Sequence, residues 1–204
     1  MPRYGPMRMF VALPLPEAVK EDLAQFLEPR QAAEGSGMRW TTPEQWHVTL
    51  AFMSEVADRH TDELFERLQR VAARRSPLVL RVAGAGAFPS AGRAKVLWAG
   101  LRHEGEDEDL ATLAAGVRAA AAKAGTEVAG GRFRPHLTLA RLGRPENVTR
   151  WLGVLDPYAG PSWQVREVAL IASHLGQGQD GRPRHEVLET FELARPSRVD
   201  HLGM

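Results

Sequence analysis

One pentapeptide pattern occurs twice in this chain. Trp46-His47-Val48-Thr49-Leu50-Ala51 and Pro135-His136-Leu137-Thr138-Leu139-Ala140 both read histidine, apolar, threonine, leucine, alanine, and their histidines stand 89 residues apart. Side chains of a strand alternate between its faces, so each motif places an imidazole and a hydroxyl on one face and two apolar residues on the other. The likeness continues upstream. MFVALPLPEAVKEDLAQFL precedes the first motif and VLWAGLRHEGEDEDLATLA the second; Phe10 lies 37 residues before His47, and Trp98 lies 38 before His136. Each half is predicted to run strand, helix, connection, H-x-T-L strand. Two such units are too few for a solenoid. They predict two lobes related by approximate two-fold symmetry, with their H-x-T strands lining a shared cleft.

The rest of the chain fits an α+β arrangement of mainly antiparallel sheets, with helices on the outside, better than a doubly wound parallel sheet. Met9 to Leu13 reads as a buried strand closed by Pro14. Val19, Leu23, Phe26 and Leu27 share one helical face, and Pro29 is expected to end that helix. Residues 31–37 read as a flexible connection, Met38 to Thr41 as a short strand, and Pro43-Glu44 as a turn. Thr61 is the expected N-cap of a helix carrying Leu64, Leu68 and Val71. Leu78 to Ala83 and Lys95 to Leu101 read as strands joined by the turn-rich GAGAFPSAGRAK. That segment lacks the G-K-[ST] ending of a phosphate-binding P-loop and reads as a turn with basic residues near a rim. The acidic EGEDED reads as a solvated loop leading into an alanine-rich helix with Leu110, Leu113 and Val117 on one face. A helix around Glu146 to Leu152, started by Pro145, is expected after the second motif. Strands follow near Val168 to Ala172 and Val187 to Leu193, joined through the hairpin-like GQGQDGRP.

Composition narrows the functional classes. At 204 residues and 44% hydrophobic content the chain can bury a substantial core, and 25% charged residues is ordinary for a globular protein. The formal net charge of +1 supplies no long-range field for nucleic acid, so such a partner must be held locally. There is no cysteine, hence no disulfide and no cysteine–zinc site, which fits a reducing compartment. The apolar run near the N-terminus is interrupted by Pro14 and Pro16, too short for a membrane span and without a small-residue cleavage site. A cytoplasmic protein with no membrane partner is expected.

Two histidines facing across a cleft divide the labour of an in-line displacement at phosphorus. The neutral imidazole takes a proton from the attacking oxygen, and the protonated one gives a proton to the leaving oxygen. An unperturbed pKa of about 6.5 lets both forms coexist near neutrality. Thr49 and Thr138, about 7 Å along the backbone from their histidines, place hydroxyl donors beside a non-bridging phosphate oxygen. No metal and no cofactor is required, and no carboxylate cluster lies near either motif. A single H-x-T strand would be an ordinary solvent-facing strand; two in equivalent positions of a repeat favour the functional reading. His60, His103, His174, His185 and His201 lack such a context and receive no role.

These stretches resemble the bacterial and archaeal RNA 2′,3′-cyclic phosphodiesterases, also called 2′-5′ RNA ligases, of the two-histidine phosphoesterase superfamily. MRMFVALPLPEAV, MRWTTPEQWHVTLAFMSEV, GAFPSAGRAKVLWAGL, FRPHLTLARL and VALIASHLGQGQDGRPRHEVLETFEL carry the likeness, from about Met7 to Leu193. The resemblance implies a single bilobal domain over residues 1–195, with 196–204 expected to form a disordered tail. It implies metal-independent opening of 2′,3′-cyclic phosphate ends of RNA or small nucleotides to a 2′-phosphate, with reversible 2′-5′ ligation in some members. It assigns His47 as proton donor to the leaving oxygen, His136 as proton acceptor from water, and Thr49, Thr138 and Arg141 as phosphate contacts.

Regular alternation puts positions 136, 138 and 140 in the cleft and Arg141 away from it. The arginine reaches the phosphate only if its strand bends or bulges, and is otherwise solvated. Phe10 is a candidate for stacking on a nucleobase, with a place in the core as its alternative. Trp46 and Phe133 are expected to pack beneath the motifs. A monomer is expected. The rival reading is a catalytically inactive nucleotide- or RNA-binding module of the same fold.

Overall fold

The computed structural model describes residues 6–33, 37–104, 108–178 and 181–194. In chain order these form β1 (Met7–Pro14), α1 (Glu17–Ala33), β2 (Met38–Trp40), β3 (His47–Val56), α2 (Thr61–Ala72), β4 (Leu78–Phe88), β5 (Ala94–His103) and α3 (Glu108–Lys123), followed by β6 (His136–Glu146), α4 (Thr149–Leu155), β7 (Ala159–Val165), β8 (Glu167–His174) and β9 (Arg184–Glu192). The strands make two sheets, ordered β3-β1-β8-β9 and β2-β6-β5-β4-β7, and their paired neighbours are antiparallel. The predicted α+β architecture of pseudo-symmetric lobes is what the chain adopts.

The two halves are interlocked. α1 leaves β1 but packs on β7 of the other sheet, while α3 leaves β5 but packs on β3. Each half also lends a short extended piece to the far motif strand: β2 pairs with β6, and Val128 bridges Met53 of β3. One apolar cluster therefore contains the core faces of both sheets, from Val11, Val48 and Leu50 to Leu97, Leu137 and Leu139. A second, smaller cluster of Phe10, Ala12, Ala169 and Ile171, with Phe52 against it, lies apart from that core. No helix among the described residues is long and apolar enough to cross a membrane.

Several local expectations are corrected by tertiary context. α1 runs through Pro29 to Ala33. A proline removes a ladder donor and crowds the preceding turn; here the Arg30 guanidinium donates to the Phe26 carbonyl at 2.6 Å and lies 3.8 Å from the Phe26 ring centre, bracing that turn. Residues 31–33, read as connection, are helical, and 34–36 lie outside the described residues. Thr61 is the first helical residue, not the cap. A 3₁₀ turn at Asp58–His60 feeds straight into α2, so His60 already has helical angles and no side chain caps the end.

GAGAFPSAGRAK is mostly strand. β4 continues to Phe88 because Gly84, at φ 76°, absorbs a register shift between Val82 and Ala85 that a side chain would resist. Glu146 belongs to β6, paired with Ala94, and α4 begins only at Thr149. Pro145 is tolerated in the strand because β2 covers β6 only from Ala140 to Leu142, which leaves an edge beyond that needs no donor. β7 was not anticipated: Gly160 and Pro161 interrupt any strand pattern there, and only pairing with β4 makes it a strand. The hairpin segment's residues 179–180, the acidic segment's 105–107 and the tail 196–204 lie outside the described residues.

Candidate active site

The two H-x-T strands follow their alternation where it is regular. Val48, Leu50, Leu137 and Leu139 are buried in the common core, while His47, Thr49, His136 and Thr138 are half-buried on the opposite faces. Across the ladders His47 faces Pro14 and Thr49 faces Ala12; His136 faces Gly100 and Thr138 faces Trp98. The register therefore makes Ala12, rather than Phe10, the counterpart of Trp98, and Phe10 corresponds to Val96. The spacing in sequence alone had matched Phe10 with Trp98.

The alternation breaks at the same place in both halves. Val11 pairs Ala51 and Ala12 pairs Thr49, so Leu50 is an extra residue on β3; Leu97 pairs Ala140 and Trp98 pairs Thr138, so Leu139 is an extra residue on β6. These are β-bulges, and each turns the following residues over by one face. Leu139 and Ala140 are consecutively buried and Arg141 is exposed. Arg141 thus joins His136 and Thr138 on the cleft side, resolving the alternation problem in favour of a bulge. Its repeat counterpart, 89 residues earlier, is Phe52, which joins the cluster around Phe10.

The bulge on β6 is held from the other half. The Thr41 hydroxyl lies 2.7 Å from the Thr138 carbonyl and 2.9 Å from that of Leu139, and accepts a 2.9 Å hydrogen bond from Trp46 Nε1. The Thr41 amide also donates to Leu139 O at 2.8 Å. The indole immediately before His47 is therefore tied through Thr41 to the backbone of Thr138. Trp46 is buried and Phe133 packs partly buried against the core, as their positions suggested.

Each imidazole is held by rings and by the backbone. Phe10 stacks on His47 at 4.5 Å and 25°, and His185 of β9 stands edge-on to both, 5.2 Å from His47 and 5.1 Å from Phe10. His185 had no motif to mark it; only the pairing of β9 with β8 brings it here. Phe88 meets His136 edge-on at 5.1 Å, with Trp98 at 5.9 Å. Trp98 lies over Gly86, where an added Cβ would fall 2.0 Å from the indole, so this position excludes a side chain. His136 Nδ1 sits 2.7 Å from the Arg134 carbonyl. A carbonyl only accepts, so Nδ1 carries the hydrogen and Nε2 is left as acceptor. His47 likewise makes a backbone hydrogen bond to Gln45, two residues upstream.

The site is electropositive. Burial, followed by the charge of His185, pulls His47 down to about 4 against the support of its Gln45 hydrogen bond; His136 and Arg141 push the same way. Burial also lowers His136, with Arg141 adding to it, and lowers His185, with Arg8 adding to it. Arg141 is lowered by desolvation and by Arg39 and Arg8. Each motif histidine thus feels the charge of Arg141, and His47 that of His136. Among the described residues no group of three or more histidine, aspartate or glutamate side chains is placed to hold a metal ion.

The pattern of the LigT-like phosphoesterase family matches residues 13–98 and 103–179. An RNA 2′,3′-cyclic phosphodiesterase of Archaeoglobus fulgidus is 33% identical over 138 residues, covering 68% of this chain and 74% of that protein. One of Thermus thermophilus is 31% identical over 189 residues, covering 92% and 90%. The crystal structure of E. coli LigT in apo form superposes with a TM-score of 0.74 at 27% identity, covering 94% of this chain and all of that one. The same protein complexed with 3′-AMP gives 0.72.

Proposed function

The chain belongs to the LigT-like phosphoesterase family, and we propose that it hydrolyses 2′,3′-cyclic phosphate ends of RNA or nucleotides to 2′-phosphates, without a metal ion. The observation that carries this reading is the convergence of both H-x-T faces and Arg141 on one cationic space, with His136 Nε2 free to accept a proton. The names and the 3′-AMP complex of the relatives support the substrate class.

In the proposed reaction His136 Nε2 takes a proton from water as its oxygen bonds to phosphorus. The bond from phosphorus to the 3′ oxygen breaks in line, and His47 protonates that oxygen, leaving the phosphate on the 2′ oxygen. Thr49, Thr138 and Arg141 donate to the non-bridging oxygens as charge builds on them. One turnover leaves His47 neutral and His136 protonated, and solvent exchange restores both. A ribose 5′-hydroxyl in place of water gives a 2′-5′ linkage by the same steps. Both histidines come from one chain, so a monomer suffices.

Burial and the neighbouring charge of His185 hold His47 lower than the usual imidazole range, which by itself favours His47 as a base. The donor role carried by the family resemblance requires the substrate to supply the missing charge. A phosphate anion between the motifs favours the imidazolium and raises His47 toward a working acid. The deciding experiment is incubation with a 2′,3′-cyclic nucleotide in the presence of a chelator, with identification of the product isomer. A 2′-phosphate is expected. A 3′-phosphate reverses the leaving oxygen, and tight nucleotide binding without turnover of any cyclic phosphate favours the binding module.

A further inference from the structure

Arg39 and Arg141 occupy directly opposed positions of the β2–β6 pair. Their neighbours, the pairs Met38–Leu142 and Trp40–Ala140, turn into the core, so both guanidinium stems rise on the cleft side. Like charges opposite one another on a sheet are destabilising. Among the described residues neither arginine makes an ion pair with a carboxylate, and neither does Arg8.

Arg8 enters from the other lobe. Its guanidinium lies 4.5 Å from the centre of the Phe52 ring, and Phe52 is the repeat counterpart of Arg141. The pseudo-two-fold position that carries no arginine of its own is thus covered by one from β1. A cyclic phosphodiester carries a single negative charge, which the guanidinium of Arg141 alone matches. Three guanidiniums without a carboxylate partner among the described residues thus stand against the same cleft, two more than that charge matches.

We propose that Arg39 and Arg8, together with Arg141, form a second phosphate subsite that takes the phosphoryl group on the 5′ oxygen of the terminal ribose, making an RNA end a better substrate than a cyclic mononucleotide. The inference rests on the proposed cyclic phosphodiesterase reading and specifies its substrate. The same group is offered by an upstream RNA nucleotide or by a free 5′-phosphate, and the subsite assigns it to RNA because Arg39, on the outer strand of its sheet, leaves room for the chain to continue.

The test compares kcat/KM for adenosine 2′,3′-cyclic phosphate, its 5′-phosphorylated form, and the dinucleotide ApA ending in a 2′,3′-cyclic phosphate, in the wild type, R39A and R8A. A charge-assisted phosphate contact predicts about a tenfold or larger preference for the dinucleotide over the mononucleotide, reduced several-fold by each variant. The dinucleotide should also show the steeper salt dependence, by about 0.7 in logarithmic slope for one added phosphate contact on a single strand. Equal wild-type values for the dinucleotide and mononucleotide overturn the proposal, as does a preference that both variants leave intact. A gain from the 5′-phosphate that ApA does not share overturns the assignment to RNA. The affinities of the corresponding 2′-phosphate products for H136A, by titration calorimetry, read the same ratio without turnover. Loss of the ratio there refutes the subsite, whereas a preserved ratio beside a wild type that turns over no cyclic phosphate refutes only the proposed reaction.

Discussion

The two lobes agree in backbone and disagree in side chains. At 47 and 136, and at 49 and 138, the residues are identical, and both strands bulge at the leucine that follows, Leu50 or Leu139. One step further the likeness ends. The bulge on β6 delivers Arg141 to the cleft, and the one on β3 delivers Phe52. Around His47 the neighbours are Phe10 and His185; around His136 they are Phe88 and Trp98. The displacement proposed above asks for two groups that grip alike and two that differ in proton state. In that reading the two-fold scaffold supplies the grip, and divergence at the flanking positions supplies the difference.

The largest expected effect comes from removing either shared imidazole. His47→Ala and His136→Ala should each lower kcat on a 2′,3′-cyclic nucleotide by about 10²- to 10⁴-fold, with unchanged circular dichroism. Full activity in either variant would refute the division of roles between the lobes. Making the lobes alike at the bulge should cost less. Arg141→Phe, which copies Phe52, is expected to reduce kcat/KM by about 10- to 100-fold through the lost charge-assisted contact, measured by steady-state kinetics.

Thr41 tests whether the lobes are coupled. Thr41→Val removes the hydroxyl shared by the Thr138 and Leu139 carbonyls and leaves Trp46 Nε1 without its acceptor. A loss of about 1–3 kcal/mol in denaturant unfolding is expected, together with a fall in kcat that Thr41→Ser largely restores. A purely structural role would lower stability while sparing kcat.

The smallest effects are in pH. Both motif histidines lie below the ordinary imidazole value in the free protein. The bell of kcat/KM, which reports the free enzyme, should therefore centre below pH 6.5, and that of kcat should move to higher pH once phosphate charge supports His47. His185→Phe removes one repelling charge and should raise the His47 limb; an unmoved limb would place His185 outside the electrostatics of the site. Stability follows the same sign. A histidine held at about 4 in the fold and near 6.5 when unfolded contributes stability that is present above pH 6.5 and lost as pH falls toward 4. The melting temperature should drop across that window, and less in His47→Phe than in the wild type.

Much of this was legible in the chain, because period-two alternation and a repeated motif are local signals. His47, Thr49, His136 and Thr138 share their faces because consecutive strand residues must point oppositely, and the apolar partners Val48 and Leu137 had nowhere to go but the core. What was illegible depended on partners distant in sequence. Pro145 is a strand residue because β2 is short, and β7 is a strand because β4 offers it an edge. His185 stands against His47 because β9 pairs with β8, and Arg39 opposes Arg141 because a short strand of the first half reaches across to β6.

By itself, then, the sequence determined that two like strands would each present an imidazole and a hydroxyl, since that follows from backbone geometry within five residues. Only the tertiary structure decided that the Thr41 hydroxyl ties the two strands together, and that Arg141 turns to the face of His136 and Thr138. A bulge is a mismatch between two strands, so it exists only once both are paired, and no single strand carries it.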